Sequence, residues 1–599
     1  MIYHCEDHTC NYWDEGEKLP ERCPQCGRKL LRANETDMTG DDWTALGNTL
    51  WDAEASDKKR MVDCFRKAAY LGSAWGVCNL GICMEQGNGV EADPVQAFWL
   101  YQQAVEMGSL NAVCCLGVCY QYGIGTAPDA EKAAELYCKA AEYGSPRGQM
   151  LLARAFHDGI GVEADAAEAV HWVRAAAYQR YGEGMYRLGV CYEYGDGVEQ
   201  NWEHAVHWFR EAAESGVSTA MTDLGYCYEK GCGVEQSWEQ AFSWYRRGAE
   251  CGYPVSMSNL GLCYKRGYGV DQNWQEAIKW YEQGAQCGDL QCMHNLACCY
   301  ERGEGVEQNE ERALYWYRRS AEGGNGDAMC NLGRCYERGY GVEQNWQEAV
   351  KWYEQGAQCG HLQSMNNLAC CYEDGEGVEQ NMTEAIRWYT AAAEGGNADA
   401  MHDLGWHYDH GEGVEQDMKK AICWYERAAE QNHPAAMNSL GECYAMGRGV
   451  PRDLETAMEW YRRAAELGEA MADYNMGWHL EQAGKLSEAY AHYRKAADGN
   501  DDSAWWALGR FYENGVVVAQ DGKEARRCYE TGEKLGSVKC KMRLARCKLL
   551  GIGGRRAKKA GLDLCRQALE LAKESSEKED YGYEAEMNLL RRTIAENES

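Results

Sequence analysis

Four cysteines near the start of the chain carry the spacing of a metal site. Cys5 and Cys10, followed by Cys23 and Cys26, give C-x4-C-x12-C-x2-C, two thiolate pairs of the kind that close a tetrahedral Zn²⁺ site. The second pair lies in the tight knuckle Cys23-Pro24-Gln25-Cys26-Gly27, while the first is looser and leaves His8 as a substitute ligand. Iron also suits four thiolates. Residues 1–36 hold almost no apolar core, so one structural metal would supply most of their folding energy, on the order of 10 kcal/mol. Seven acidic and five basic residues in this segment leave no basic patch for nucleic acid.

Catalytic spacings are missing elsewhere: there is no P-loop, no Gly-x-Ser-x-Gly elbow, no His-Glu-x-x-His and no glycine fingerprint after a strand. An enzyme acting on a small-molecule substrate is therefore not expected. A net charge of −33 disfavours nucleic acid and anionic membrane as main partners, and favours partners with basic segments. No run of 18 apolar residues suggests a membrane span. The acidic start, MIYHCEDHTCNYWDE, lacks the apolar region of a signal peptide.

What organises the rest is a repeat. Gly339 to Gly360 reads GYGVEQNWQEAVKWYEQGAQCG, and Gly267 to Gly288 differs from it only at Asp271 and Ile278, with a weaker copy halfway between from Gly303. The period is 36 residues. In the unit from Asp327 to Gly360, Ala328, Leu332, Cys335 and Tyr336 form the apolar stripe of one helix, and Gly339 ends it. Val342 plugs the turn, Asn345 caps a second helix with Glu348 in capping-box position, and Ala349, Trp352, Tyr353 and Ala357 make its stripe. Such a hairpin cannot bury both stripes alone, so neighbouring units must stack. Leu80 recurs at steps of 36 to Leu440 and then Met476, each followed by Gly or Ala because the second helix must approach closely there. An unbroken tryptophan ladder from Trp172 to Trp460 is expected to be the buried core. Trp202, Trp238, Trp274 and Trp346, just after the N-cap, are expected to staple the turn.

The pattern A-x3-LG-x-x-Y-x-x-G-x-GV…A-x-x-W-Y-x-x-AA-x-x-G resembles the Sel1-like repeat, a relative of the tetratricopeptide repeat, over roughly residues 41 to 575. The resemblance implies an all-α fold, an α/α superhelical solenoid of about fifteen helix-turn-helix repeats whose first helices line a concave wall. It also implies a scaffold or adaptor that binds protein or peptide partners. The knuckle resembles those of zinc ribbons and rubredoxins. The expected organisation is a four-cysteine, zinc-ribbon-like module at 1–36, the solenoid at 41–575 and a capping helix at 576–599. A zinc-dependent regulatory protein, with the ribbon docking a partner or nucleic acid while the repeats hold another protein, is the alternative.

Thirty-one cysteines could suggest disulfides, but Cys83, Cys119, Cys227, Cys335 and their equivalents share one slot three residues after the repeat leucine. One cysteine per unit on the inner face is a small hydrophobe, which points to a reducing cytoplasm. A disulfide-rich branch of the resembled family pairs two cysteines per repeat, and that pairing is missing here. The knuckle, the cysteine-rich core and the lack of an export signal point to a bacterial origin.

Two first-helix positions lie off the core stripe. The residue before the leucine forms an asparagine column, including Asn259, Asn295, Asn331 and Asn367, whose amides can both donate to and accept from a peptide main chain or bond a neighbouring repeat. The residue two after the leucine varies most, and Tyr226, Arg334, Trp406 and Trp478 there are types that anchor interfaces.

Overall fold

The computed structural model describes residues 2–5, 13–15, 30–33, 38–51, 55–578 and 584–598. Three short strands come first: β1 (Ile2–Cys5), β2 (Trp13–Glu15) and β3 (Leu30–Ala33). They form an antiparallel sheet in the order β2-β1-β3, with Ile2 opposite both Glu15 and Ala33. Among the described residues 31 helices follow, most of them 13 residues long. Thirty alternate as first and second helices of fifteen repeats, and Glu584–Glu598 comes last. The chain divides into two units, Met1–Gln308 and Asn309–Ser599. Each is an α/α solenoid in which a second helix packs both on its own first helix and on the first helix of the following repeat.

Local sequence dictates the hairpin. In the repeat of helices Gly326–Arg338 and Trp346–Gln358, Asn325 Oδ1 accepts the Ala328 N–H at 2.8 Å and caps the first helix. Gly339, at φ 70°, ends it in the left-handed conformation that glycine adopts without a Cβ penalty. Asn345 Oδ1 accepts the Glu348 N–H at 3.1 Å and starts the second helix. Between them Gln344 Nε2 donates to the Glu337 carbonyl at 2.8 Å, satisfying a first-helix C-terminal carbonyl. The same latch recurs from Gln200, Gln236, Gln272 and Gln380.

The interior corrects one expectation. The tryptophan ladder is half-buried, Trp352 included, with only Trp244 buried. The fully buried ladder is the next residue: Tyr101, Tyr137, Tyr245, Tyr281, Tyr317, Tyr353, Tyr389, Tyr425 and Tyr461, with Phe209 in register. The physical reason lies in the small residue, glycine in most repeats and alanine in the rest, after each repeat leucine. A Cβ on Gly333 would stand 2.7 Å from Tyr353 Cδ1, so the missing side chain is the space the ring occupies. The phenol can also satisfy its polar end: Tyr353 Oη donates to Glu337 at 2.6 Å, Tyr389 to Glu373 at 2.6 Å and Tyr245 to Glu229 at 2.9 Å, whereas Tyr281 Oη is buried without a partner. Trp352 Nε1 is buried without a hydrogen-bond partner. Burying such a ring stabilises each repeat by roughly 2–3 kcal/mol before entropy.

Repeats that carry the Gly-x-Gly turn are joined at its second glycine. Gly341, at φ 66°, sits where a Cβ would lie 2.7 Å from the Glu310 carbonyl, in the first turn of the preceding second helix. Gly377 does the same against Trp346, and Gly269 against Trp238. These N-terminal tryptophans also meet the next repeat's turn: Trp238 stacks on Tyr268 with ring centroids 4.1 Å apart.

Candidate partner-binding face

Successive first helices touch: Ala74–Gln86 packs on Leu110–Tyr122 and Pro254–Arg266 on Leu290–Arg302 in the N-terminal unit, and Gly326–Arg338 on Leu362–Asp374 in the second. Successive second helices stand farther apart, so within each unit the first-helix row is the inner one. The candidate positions lie on this row.

The asparagine column is half-buried and largely committed to the preceding repeat. Asn295 Nδ2 donates to Ser258 Oγ at 3.4 Å while its carbonyl accepts from Gln291 at 3.3 Å. Asn367 donates to the Cys330 sulfur at 3.5 Å and accepts from Gln363 at 3.1 Å. Asn79 reaches Asn48 at 2.8 Å and Asn475 reaches Asn438 at 3.0 Å. Asn259 and Asn331 hold the same half-buried place. The column thus acts as a polar seam between first helices.

The variable position is more open. Tyr226 is 45 % exposed and Trp478 is 38 % exposed, both large rings that the interior does not require. Lys230 Nζ sits 5.8 Å from the Tyr226 ring, and Trp478 meets His479 edge-on at 4.7 Å. Trp406 is half-buried and stacks on His410 at 4.2 Å, and Arg334 is half-buried. These side chains stand in different repeats, so they offer a row of contacts rather than one convergent centre.

Of the four candidate metal ligands, Cys10, Cys23 and Cys26 lie outside the described residues, and Cys5 is described only as the backbone end of β1. Among the described residues no three His, Cys, Asp or Glu side chains converge as a metal site. None of the 27 cysteines from Cys64 to Cys565 is in a disulfide, and every cysteine of the repeat slot is buried except Cys191. Burial pushes the thiols of Cys83 and Cys263 up, to about 11 and about 12. No described helix is long and apolar enough to cross a membrane.

The Sel1 repeat model matches thirteen successive segments, beginning at residues 76–109 and 112–145 and continuing through 470–501 and 504–537. The chain belongs to the Sel1 repeat family. Among solved structures, a Sel1-like protein is 32% identical, with a TM-score of 0.52 over 75% of this chain and 97% of its own. It is c5321, described as a protective antigen of uropathogenic Escherichia coli strains displaying an SLR fold. A Sel1 repeat protein from Oxalobacter formigenes is also 32% identical, over 41% of this chain and 96% of its own, with a TM-score of 0.37. No curated protein matches the chain. In Sel1 terms, the glutamine latch and the tyrosine–glutamate bond are the residues that sequence reasoning missed. Their signal was available, because the Gln of Val-Glu-Gln and the Glu two residues before the turn's first Gly recur along the chain.

Proposed function

We propose that this Sel1 repeat chain is a non-catalytic scaffold that takes protein or peptide partners along the first-helix wall of its repeats. The observation that carries the reading is the exposure of Tyr226 and Trp478 on that wall, where packing alone would not keep large rings in water. Trp406 and Arg334 hold the same position in their repeats, and within each unit asparagine amides form a polar seam beside this position. The charge of −33 favours basic partner segments. Free cysteines throughout the repeats fit a reducing cytoplasm.

The test is affinity capture with the tagged chain, followed by the variant Tyr226→Ala/Trp406→Ala/Trp478→Ala. Loss of one desolvated aromatic anchor costs about 2 kcal/mol, about thirtyfold in affinity. The triple variant should release the captured partner while helicity and melting temperature stay unchanged. Undiminished capture would move the binding face elsewhere.

The zinc-dependent reading adds a structural Zn²⁺ held by Cys5, Cys10, Cys23 and Cys26. Its support is their ligand spacing, in a segment whose sequence offers almost no apolar core. Elemental analysis of untagged protein should return one zinc per chain, or one iron if the site takes that metal. Cys23→Ser should release it and leave the repeats folded. Chelation that abolishes partner capture would place the metal module in the binding function; metal-free protein prepared from zinc-containing medium would remove it.

A further inference from the structure

The aromatic ladder has a gap in the N-terminal unit. At steps of 36 residues it runs Tyr137, Val173, Phe209, Tyr245. At Tyr101, Tyr137, Tyr245 and Tyr353 the ring lies under the glycine of the same repeat's first helix and the hydroxyl reaches an acceptor sixteen residues earlier. Tyr137 does so with Gly117 and Gln121, and Tyr245 with Gly225 and Glu229. In the gapped repeat Ala153 holds the glycine's place and His157 the acceptor's.

A pocket of about 520 Å³ opens there, and Ala153, His157, Val173 and Cys191 all line it. The slot cysteines on either side along the chain, Cys119 and Cys227, are 0 % and 1 % exposed, whereas Cys191 is only half-buried. The missing ring is what would cover it. At the rim, His157 Nδ1 lies 2.7 Å from Asp158 and its Nε2 3.1 Å from Asp196, so two carboxylates stand where other repeats offer one acceptor. The Asp158 carboxyl is held below its ordinary range, chiefly by the bond to His157.

We propose that this pocket seats a tyrosine side chain of a partner polypeptide, its ring taking the place of the absent ladder ring and its hydroxyl donating to Asp158 or Asp196. The inference rests on the scaffold reading and gives it a recognised side chain. Val170 and Val190 supply apolar walls for the ring, and Arg154 and Arg187 stand at the pocket's lining as cations able to meet its face.

The probe is p-cresol, the tyrosine side chain alone, titrated into the full chain during alkylation with iodoacetamide at mildly alkaline pH. Peptide mass analysis then reads Cys191 against the exposed Cys251. Millimolar p-cresol should slow Cys191 several-fold and leave Cys251 unchanged, and toluene, lacking the hydroxyl, should protect less. Val173→Tyr should fill the slot from within, raise the melting temperature, slow Cys191 to the rate of Cys227 and abolish the p-cresol effect. No protection in the natural chain, or equal protection in a folded Val173→Tyr variant, overturns the proposal whether or not any partner is known. If Val173→Tyr fails to fold, the p-cresol and toluene arms on the natural chain decide alone. Partner capture that survives Val173→Tyr overturns the pocket as the partner's seat and leaves the scaffold reading standing.

Discussion

Tyr353 and Trp352 stand side by side at the seam of their repeat, and they differ in what their polar atoms meet. The Tyr353 ring fills the space that Gly333 leaves, and its hydroxyl ends on Glu337. The Trp352 indole is half-buried and its N–H finds no acceptor. Tyr353→Ala should therefore cost about 3–5 kcal/mol and Trp352→Ala only about 1–2 kcal/mol, read by denaturant unfolding. The reverse order would mean that the indole carries the seam. Periodicity could not have settled this, because neighbouring positions both fall on an apolar stripe wide enough for two. The glycine opposite, read as close helix approach, was the clue to a ring. A second residue-scale effect concerns Asp501, which caps helix Asp502–Asn514 by accepting the Ala504 N–H at 2.6 Å. Burial raises its carboxyl to about 6. An acid raised in the folded state favours folding in its protonated form, so this contribution is complete below the unfolded value of about 3.9 and is lost as pH rises through about 6. Asp501→Asn keeps the cap and removes the buried charge. Stability at pH 7 should rise by on the order of 1 kcal/mol after solvent screening, and the pH dependence between 4 and 7 should flatten. Unchanged pH dependence would show that Asp501 is not the group responsible.

At the scale of elements, the two glycine types of each repeat do different work. Gly360, at φ 83°, has nothing within 4 Å of a built Cβ, so Gly360→Ala should cost only the left-handed backbone term, about 1 kcal/mol. Gly341 adds contact with the Glu310 carbonyl, and Gly341→Ala should cost about 3 kcal/mol or more by parting two repeats. Thermal unfolding of the two variants compares them directly, and equal losses would mean the joint tolerates a methyl group. At Val517 the second turn glycine is replaced, leaving a β-branched residue at φ 63° and largely in solvent. Val517→Gly should raise stability by about 1 kcal/mol, and a loss would show that the valine has packing worth more than its strain. The hairpins, their caps and their turns were legible because Asn345, Gly339 and Leu332 each act through local chemistry. The joint was not: Gly341 reads as a turn residue, and its partner Glu310 lies 31 positions earlier, on the second helix of the preceding repeat. The first-helix face was legible as a set of positions. That its asparagines could bond a neighbouring repeat was legible as well, and Asn367 does so through Cys330; which atom each one meets depended on the distance between helices, which no single repeat encodes.

Across the whole molecule, the thiols form one population. Those of the repeat slot fill space beneath the rings, and burial holds most of them in the neutral form, as at Cys371, pushed up to about 12. In denaturant without reductant, nearly all of the 31 cysteines should react with a thiol reagent, whereas protected pairs would point to an oxidising compartment. The glycine joint has a consequence for ancestry as well. Because most junctions are made by the same approach of a turn glycine to the helix before it, a gene encoding such a chain can lose or gain a whole unit by unequal crossing-over without inventing a new surface. Excising residues 326–361 would set Gly377 against Glu310 in place of Trp346, the same contact with a different neighbour. The near-identical segments at 267–288 and 339–360 are what such an exchange leaves behind when it runs in the direction of growth.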